Sequence, residues 1–177
     1  GFALGASCVI FGQGGLGKSR LALNIARNQV LGLPFAGMDT APRPLRHLFM
    51  GSENSIHRLQ HDVRRMSAGL SAEQVALLGE HIRMATLEGP EDTFISMNAM
   101  NAARWQATLE AWPPDVLWVD PWGDVLEGEA NSDEDARATI SNLRRLLRKV
   151  KPEAGLCILA HSRTGAIRPS TFSRSPS

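Results

Sequence analysis

The sequence predicts an α/β fold in which a mostly parallel sheet of about five strands is flanked by helices. Short apolar runs recur along the chain, and longer segments with helical periodicity separate them. The runs are apolar throughout rather than alternating, which is typical of strands that are buried on both faces. Five segments are predicted as strands: residues 7–11, 46–51, 81–87, 116–120 and 155–160.

Apolar residues recur at helical spacing in three of the intervening segments. They occupy positions 21, 22, 25, 26 and 30, then 56, 59, 63 and 66, and finally 136, 140, 143, 147 and 150. The third helix begins with the acidic residues 133–135 and ends with Arg148 and Lys149, a charge order that favours the helix dipole. Pro152 then ends this helix, because proline cannot continue it.

The composition is that of one globular domain. With 177 residues, of which 43% are hydrophobic and 21% charged, the chain can bury a core of its own. The formal net charge of +1 does not by itself indicate a nucleic acid or a membrane surface as a partner. We expect one domain at residues 1–166 and a weakly ordered tail at residues 167–177, which are poor in apolar residues.

Three features predict a cytoplasmic protein. No apolar stretch approaches the roughly 20 residues that span a bilayer. Residues 1–8 have neither the basic start nor the cleavage site of a signal peptide. Cys8 and Cys157 each lie in an apolar run, so we expect buried thiols in a reducing compartment rather than a disulfide framework.

Residues 12–19, GQGGLGKS, match the full phosphate-binding pattern G-x-x-x-x-G-K-[ST]. A predicted strand precedes the motif and a predicted helix follows it, which is the context that the pattern requires. Glycines let backbone amides converge on phosphate oxygens, Lys18 reaches the β- and γ-phosphates, and the Ser19 hydroxyl ligates Mg²⁺. The alternative is a glycine-rich turn that matches by chance. The predicted ATP-binding residues are Gly12, Gln13, Gly14, Gly15, Leu16, Gly17, Lys18, Ser19 and Arg20.

Acidic and imidazole side chains at other strand ends are candidates for the chemistry. Asp120 ends the fourth apolar run and is predicted to hold Mg²⁺ through its water shell, unless it only caps the next turn. Pro121 follows it and cannot move a proton, so Glu53, just past the second strand, is the better candidate for the base that orients water. His161, just past the fifth strand, can hydrogen-bond the γ-phosphate. Helix capping by Glu53 and its neighbours, and a histidine satisfied at a strand end, are the alternatives.

Together these segments resemble the RecA-like ATPases, and most closely the hexameric plasmid and phage helicases of the RepA type. The similarity covers residues 11–165 and rests on GQGGLGKS, SENS with the following RL, VLWVDPW, GEANSDED and LAHSRTG. The resemblance implies that residues 1–166 form a RecA-like ATPase domain, that Glu53 is the catalytic glutamate and that His161 is the γ-phosphate sensor. It also implies a hexameric ring with ATP bound between subunits.

The resemblance is incomplete after His161. Domains of this type continue with further strands, and the arginine that acts on a neighbouring subunit comes from that region. Compared with the family, the sequence leaves two expectations open: a domain that is truncated at its C-terminus, as a fragment of a longer chain, or a reduced variant of the domain. Arg163 and Arg168 are the basic residues near the motif, and neither is assigned as that arginine.

RecA-like proteins contact DNA through two loops, and here the two segments differ in charge. Residues 120–135 contain no lysine or arginine and, with Asp115 counted, eight acids, which makes a poor surface for phosphates. The segment after His161 carries Arg163, Arg168 and Arg174 and no acid. We therefore expect single-stranded DNA on that segment. A disordered basic tail without a partner is the alternative.

The sequence thus predicts an ATPase that uses ATP and Mg²⁺ to work on nucleic acid, with a replicative helicase as the first hypothesis. A regulatory or scaffold module that uses nucleotide as a switch is the second. A P-loop kinase ranks low because no arginine-rich lid follows the phosphate loop. His57 and His61 stand four apart on a predicted helix, but without a third ligand at fixed spacing a solvated helix face is favoured over a metal site.

Overall fold

The computed structural model describes residues 5–51, 56–86, 99–126 and 132–161. Its strands are β1 (Ser7–Gly12), β2 (His47–Gly51), β3 (Ile82–Thr86), β4 (Val116–Asp120) and β5 (Gly155–His161). Its helices are α1 (Lys18–Val30), α2 (Ile56–Met66), α3 (Ala72–His81), α4 (Ala99–Ala111), α5 (Trp122–Val125) and α6 (Asp133–Val150).

All neighbouring strands pair in parallel, and their order across the sheet is β1-β5-β4-β2-β3. This confirms the predicted fold class, because a five-stranded parallel sheet flanked by helices is the architecture of a RecA-like P-loop fold. Each predicted strand lies within one residue of the observed bounds. The start of the third strand is corrected, since His81 ends α3 and β3 begins at Ile82.

Alternate residues of the strands are buried on opposite faces of the sheet, so the domain has two cores. On one face, Leu117 and Val119 of β4 pack with α4 and α6. On the other face, Val116 and Trp118 pack against α1. Because helices cover both faces, β4 is buried at every position, as its continuous apolar sequence predicts.

The helices predicted from periodicity are present as α1, α2 and α6, while α3, α4 and the short α5 are additional to the prediction. The Ser132 hydroxyl caps α6 by accepting a hydrogen bond from the Asp135 amide at 3.1 Å. At the start of α3, Ser71 and Gln74 form a capping box with reciprocal hydrogen bonds of 3.0 and 3.2 Å. This S-x-x-Q spacing is the sequence signal from which α3 could be recognised.

Two expectations about the cellular setting can be compared with the fold. Within the described ranges, the chain has no helix of sufficient length and apolar character to cross a bilayer. Cys8 and Cys157 are free thiols, the first partly buried and the second buried. The thiols are therefore located in the core and its margin, as their apolar surroundings in the sequence indicate.

A buried carboxylate, Asp115, anchors the amino end of β4. Arg43 donates to both of its oxygens at 2.6 and 3.0 Å, the Lys151 ammonium lies at 2.6 Å, and the Arg46 amide donates at 2.8 Å. Burial by itself would raise the pKa of Asp115, but these hydrogen bonds and cations hold the pKa below its usual range. Asp115 therefore stays ionised and joins the segment before β2, the start of β4 and the end of α6.

His47, the first residue of β2, is fully buried. Its Nδ1 accepts a hydrogen bond of 3.1 Å from the indole of Trp118, and Trp118 in turn stacks on Phe49. Burial lowers the pKa of His47 to about 3, so the imidazole is neutral at physiological pH.

Candidate nucleotide site

The described site residues predicted from the sequence lie at the carboxyl ends of neighbouring strands. The parallel register pairs Gly12 with His161 and Gly51 with Asp120, so the ends of four strands share one edge of the sheet. In open α/β sheets, this edge is where ligands bind. The fold therefore brings the phosphate motif, Asp120 and His161 together, although they are far apart in the sequence.

The phosphate loop depends on glycine for its shape. Gly15 and Gly17 have φ angles of +79° and +81°, in the left-handed region that other residues rarely adopt. Gly17 directly precedes α1 and has no side chain that could accept hydrogen bonds from the first-turn amides. Those amides and the positive end of the helix dipole are therefore available to an anion.

Lys18 is held inside the loop and is only 8% exposed. Its ammonium donates to the carbonyl oxygens of Gly12 at 2.9 Å and Gln13 at 3.0 Å, and it lies 3.2 Å from Nδ1 of His161. An ammonium group has three protons and no acceptor, so the imidazole accepts at Nδ1 and the three contacts use every donor. Lys18 can therefore bind a phosphate only by exchanging one or more of these partners.

The Ser19 hydroxyl donates a hydrogen bond to the Asp120 carboxylate and so joins α1 to the end of β4. A hydroxyl and a carboxylate side by side form a set of hard oxygen donors, the type that Mg²⁺ prefers. Proteins usually bind this ion through one or two carboxylates together with substrate phosphates and water. The donor set fits Mg²⁺ in a phosphate site, and the assignment of Ser19 and Asp120 to the metal stays a prediction.

Gly51 is a site residue that the sequence analysis does not identify. A Cβ atom at this position would collide with the backbone carbonyl oxygen of Asp120. The close approach of β2 and β4 at their carboxyl ends therefore requires glycine. The available signal in the sequence is a glycine at the end of an otherwise apolar strand.

A cleft of about 100 Å³ opens beside the loop. Asp62 of α2, which is 8% exposed, lines it and pairs with Arg20 at 3.2 Å and with Arg58 at 3.4 Å. The shared carboxylate therefore fixes two half-exposed guanidinium groups next to the loop. Its role was not predicted, although the i,i+4 spacing of Arg58 and Asp62 was a usable signal. The other residues that line the cleft are Gly15, Gly17, Lys18, Ser19 and His161.

The histidine pair on α2 belongs to no metal cluster among the described residues. Within the part of the chain that the structure describes, no three His, Cys, Asp or Glu side chains are grouped so that they could hold a metal ion. His57 and His61 are both exposed, and His61 contacts Asp62 at 3.6 Å. The solvated helix face is therefore the interpretation that the geometry supports.

Part of the predicted site lies outside the described residues. Glu53 and its neighbours 52–55 follow β2 there, and Arg163, Arg168 and Arg174 follow β5. The catalytic base and the DNA-contacting segment therefore stay predictions.

Comparison with known proteins identifies the family. The chain matches the family model of the AAA domain over residues 1–166, which contain the phosphate motif, Asp120 and His161. No curated protein matches the chain. A match over this length identifies a P-loop ATPase-type domain and implies nucleotide binding. The chain therefore belongs to the AAA domain family.

Proposed function

We propose that this AAA domain is an Mg²⁺-dependent ATPase that couples ATP hydrolysis to work on nucleic acid, as the ATPase domain of a RepA-like replicative DNA helicase. In this proposal residues 1–166 are the ATPase domain of a cytoplasmic hexamer, and residues 167–177 are a tail. One observation carries the ATPase assignment. Lys18, Ser19, Asp120 and His161 meet at one edge of the sheet, although they come from one helix and two different strands.

Lys18 and the loop amides bind the β- and γ-phosphates. The ammonium exchanges the carbonyl oxygens of Gly12 and Gln13 for phosphate oxygens, which form stronger, charge-assisted hydrogen bonds. Ser19 and Asp120 would hold Mg²⁺, and the bound ion would supply positive charge that neutralises the phosphate oxygens. Ser19 and Asp120 already contact each other, so the protein ligands need little reorganisation.

Glu53 is the proposed general base, which takes a proton from the attacking water and orients it. Support comes from its place in the chain, because it follows β2 by two residues and Gly51 at the end of β2 pairs in register with Asp120. His161 is the proposed sensor. Its Nδ1 contacts Lys18 at 3.2 Å, so the arrival or loss of a γ-phosphate at Lys18 changes a hydrogen bond of His161.

The test of the base compares ATP hydrolysis and ATP binding in the parent and in Glu53→Gln. Glutamine keeps the shape of the side chain but cannot take up the proton, so we expect turnover to fall by about 100-fold or more while ATP still binds. Glu73→Gln, an exposed change in the first turn of α3, is the matched control, and Lys18→Ala is the reference for lost binding. Hydrolysis at the parent rate in Glu53→Gln would remove the assignment.

The work on nucleic acid needs a separate test. We expect six copies to assemble in the presence of ATP, and we expect single-stranded DNA to raise turnover. We also expect the double change Arg168→Ala with Arg174→Ala to weaken DNA binding and reduce its salt dependence, because phosphate contacts release counterions. If the protein stays monomeric and DNA does not change its rate of ATP hydrolysis, the alternative is favoured: a nucleotide-dependent regulatory or scaffold ATPase without motor activity.

A further inference from the structure

Cys8 and Cys157 face each other on the two strands that lead to the nucleotide site. They are register partners in the parallel pair of β1 and β5, and their Sγ atoms lie 2.9 Å apart. Both are free thiols. From each cysteine the strand runs four residues further, to Gly12 in β1 and to His161 in β5. The two cysteines therefore lie four residues before the strand ends that carry the phosphate loop and His161.

We propose that Cys8 and Cys157 are a redox modification site that forms a reversible intramolecular disulfide on reaction with a peroxide. The backbone spacing permits this bond, because paired strands lie about 4.8 Å apart and disulfides span Cα separations of about 4.4–6.8 Å. The sulfurs must approach by roughly 0.9 Å from their 2.9 Å separation to reach a bond length of about 2.04 Å. Among the described strands β1 pairs only with β5, so it can make this movement without breaking a second ladder.

The two thiols differ in the way that the reaction requires. Cys8 is partly exposed, whereas Cys157 is only 3% exposed. The hydrogen bond with Cys157 lowers the pKa of Cys8 below its usual value. The same contact, together with burial, raises the pKa of Cys157. Cys8 is therefore the more exposed and the more readily ionised thiol, which a peroxide oxidises first, and Cys157 is the thiol that completes the bond.

The chemistry balances in two steps. In the first step the Cys8 thiol ionises, its sulfur attacks one oxygen of hydrogen peroxide, the O–O bond breaks, and the leaving hydroxide takes up the proton that the thiol released, giving water. In the second step the Cys157 sulfur attacks the Cys8 sulfenic acid, the S–O bond breaks, and the hydroxyl leaves with the Cys157 proton as water. Two thiols and one peroxide thus give one disulfide and two waters. The two electrons pass from sulfur to the peroxide oxygens.

The test is peptide mapping of the folded chain without reduction, before and after hydrogen peroxide. We expect peroxide to remove both free thiols and to give one pair of peptides linked by a disulfide between Cys8 and Cys157 of the same chain. Dithiothreitol should restore both thiols. Cys157→Ala should stop at a sulfenic acid on Cys8, which dimedone traps. Cys8→Ser should react at least about ten-fold more slowly than the parent, because its remaining thiol is buried.

The matched control is the double variant Cys8→Ser with Val9→Cys. Val9 is 42% exposed, but side chains at positions 8 and 9 point to opposite faces of the strand, so a thiol there cannot reach Cys157. A disulfide between positions 9 and 157 in this control would overturn the proposal. Intermolecular dimers or an over-oxidised Cys8 in place of the joined pair in the parent would overturn it as well. The mapping uses no nucleotide, so its failure is distinct from a failure of the ATPase assignment.

Discussion

The two ends of β4 each carry a buried aspartate, and the surroundings of the two carboxylates differ in kind. Asp115, just before the strand, is fixed by two cations and a backbone amide, from Arg43, Lys151 and Arg46. Asp120, the last residue of the strand, contacts the hydroxyl of Ser19, another oxygen donor that can ligate a cation. The charge of Asp115 is thus neutralised by cations of the protein itself. At the other end, Asp120 and Ser19 form a set of oxygen donors of the kind that binds Mg²⁺. We therefore expect Asp115 to contribute mainly to stability and Asp120 mainly to ATP hydrolysis.

The largest effect is expected from Asp115→Ala. This change leaves Lys151 and the Arg46 amide without their carboxylate, so we expect the free energy of unfolding to fall by about 2–4 kcal/mol. The loss should be smaller than for a fully enclosed ion pair, because Arg43 is half exposed. Urea denaturation measures it. Glu153→Ala removes an exposed acid at the same end and should change stability by about 0.5 kcal/mol or less. Parent-like stability of Asp115→Ala would show that the cluster does not hold the fold.

Asp120→Ala should lower the rate of ATP hydrolysis strongly and the free energy of unfolding only slightly. We expect turnover to fall by about 100- to 1,000-fold, as for other groups that stabilise charge in a transition state, because the proposed Mg²⁺ site loses its carboxylate. Unfolding free energy should change by about 1 kcal/mol or less, since Ser19 keeps access to water. ATP hydrolysis and urea denaturation on the same preparation measure both quantities. If Asp120→Ala unfolds as easily as Asp115→Ala, the proposed division along β4 is wrong.

Gly51→Ala tests how tightly the carboxyl end is built. The added methyl group collides with the Asp120 carbonyl oxygen, so β2 and β4 must separate at a cost of about 1–3 kcal/mol. Turnover should fall as well, because Asp120 is displaced from Ser19. The control is Gly79→Ala in α3, where the new atom meets nothing within 4 Å and helix propensity favours alanine. Equal stability of the two variants would contradict the close approach.

The effect that is smallest at neutral pH, and that grows as the solution is acidified, is a pH dependence at the amino end. The pKa of His47 is about 3 in the folded chain, and an unfolded histidine titrates near about 6.5. Between these values only the unfolded chain binds the proton, so stability falls with decreasing pH by about 1.4 kcal/mol per pH unit. Asp115 has a lowered pKa, so its contribution is complete above the ordinary carboxyl pKa of about 4 and is lost only below that pH.

The variant His47→Gln isolates this titration. Glutamine can still accept the hydrogen bond from Trp118 but does not titrate, so urea midpoints should fall less steeply between about pH 6.5 and 4.5. His57→Gln, at an exposed position, should keep the slope of the parent. A slope in His47→Gln as steep as that of the parent would assign the proton to another group.

Local patterns were enough to predict the sheet, whereas the clusters at its two ends depend on contacts between distant segments. Each strand is a short apolar run, and the phosphate motif lies between a strand and a helix, so both can be read over a few residues. The partners of Asp115 come from positions 43 and 151 and meet only once the sheet has formed. Counting Asp115 with the acids of residues 120–135 was therefore wrong, because it lies at the opposite end of β4, where cations neutralise it.

The register of β2 with β4 and the contact between Asp120 and Ser19 of α1 limit which insertions the gene can tolerate. An extra residue inside a strand turns every following side chain to the other face of the sheet. One added codon within β4 would carry Asp120 past Gly51 and turn its carboxylate away from Ser19, even if every original residue were kept. The spacing of residues along β4 is thus as strict a requirement as their identity.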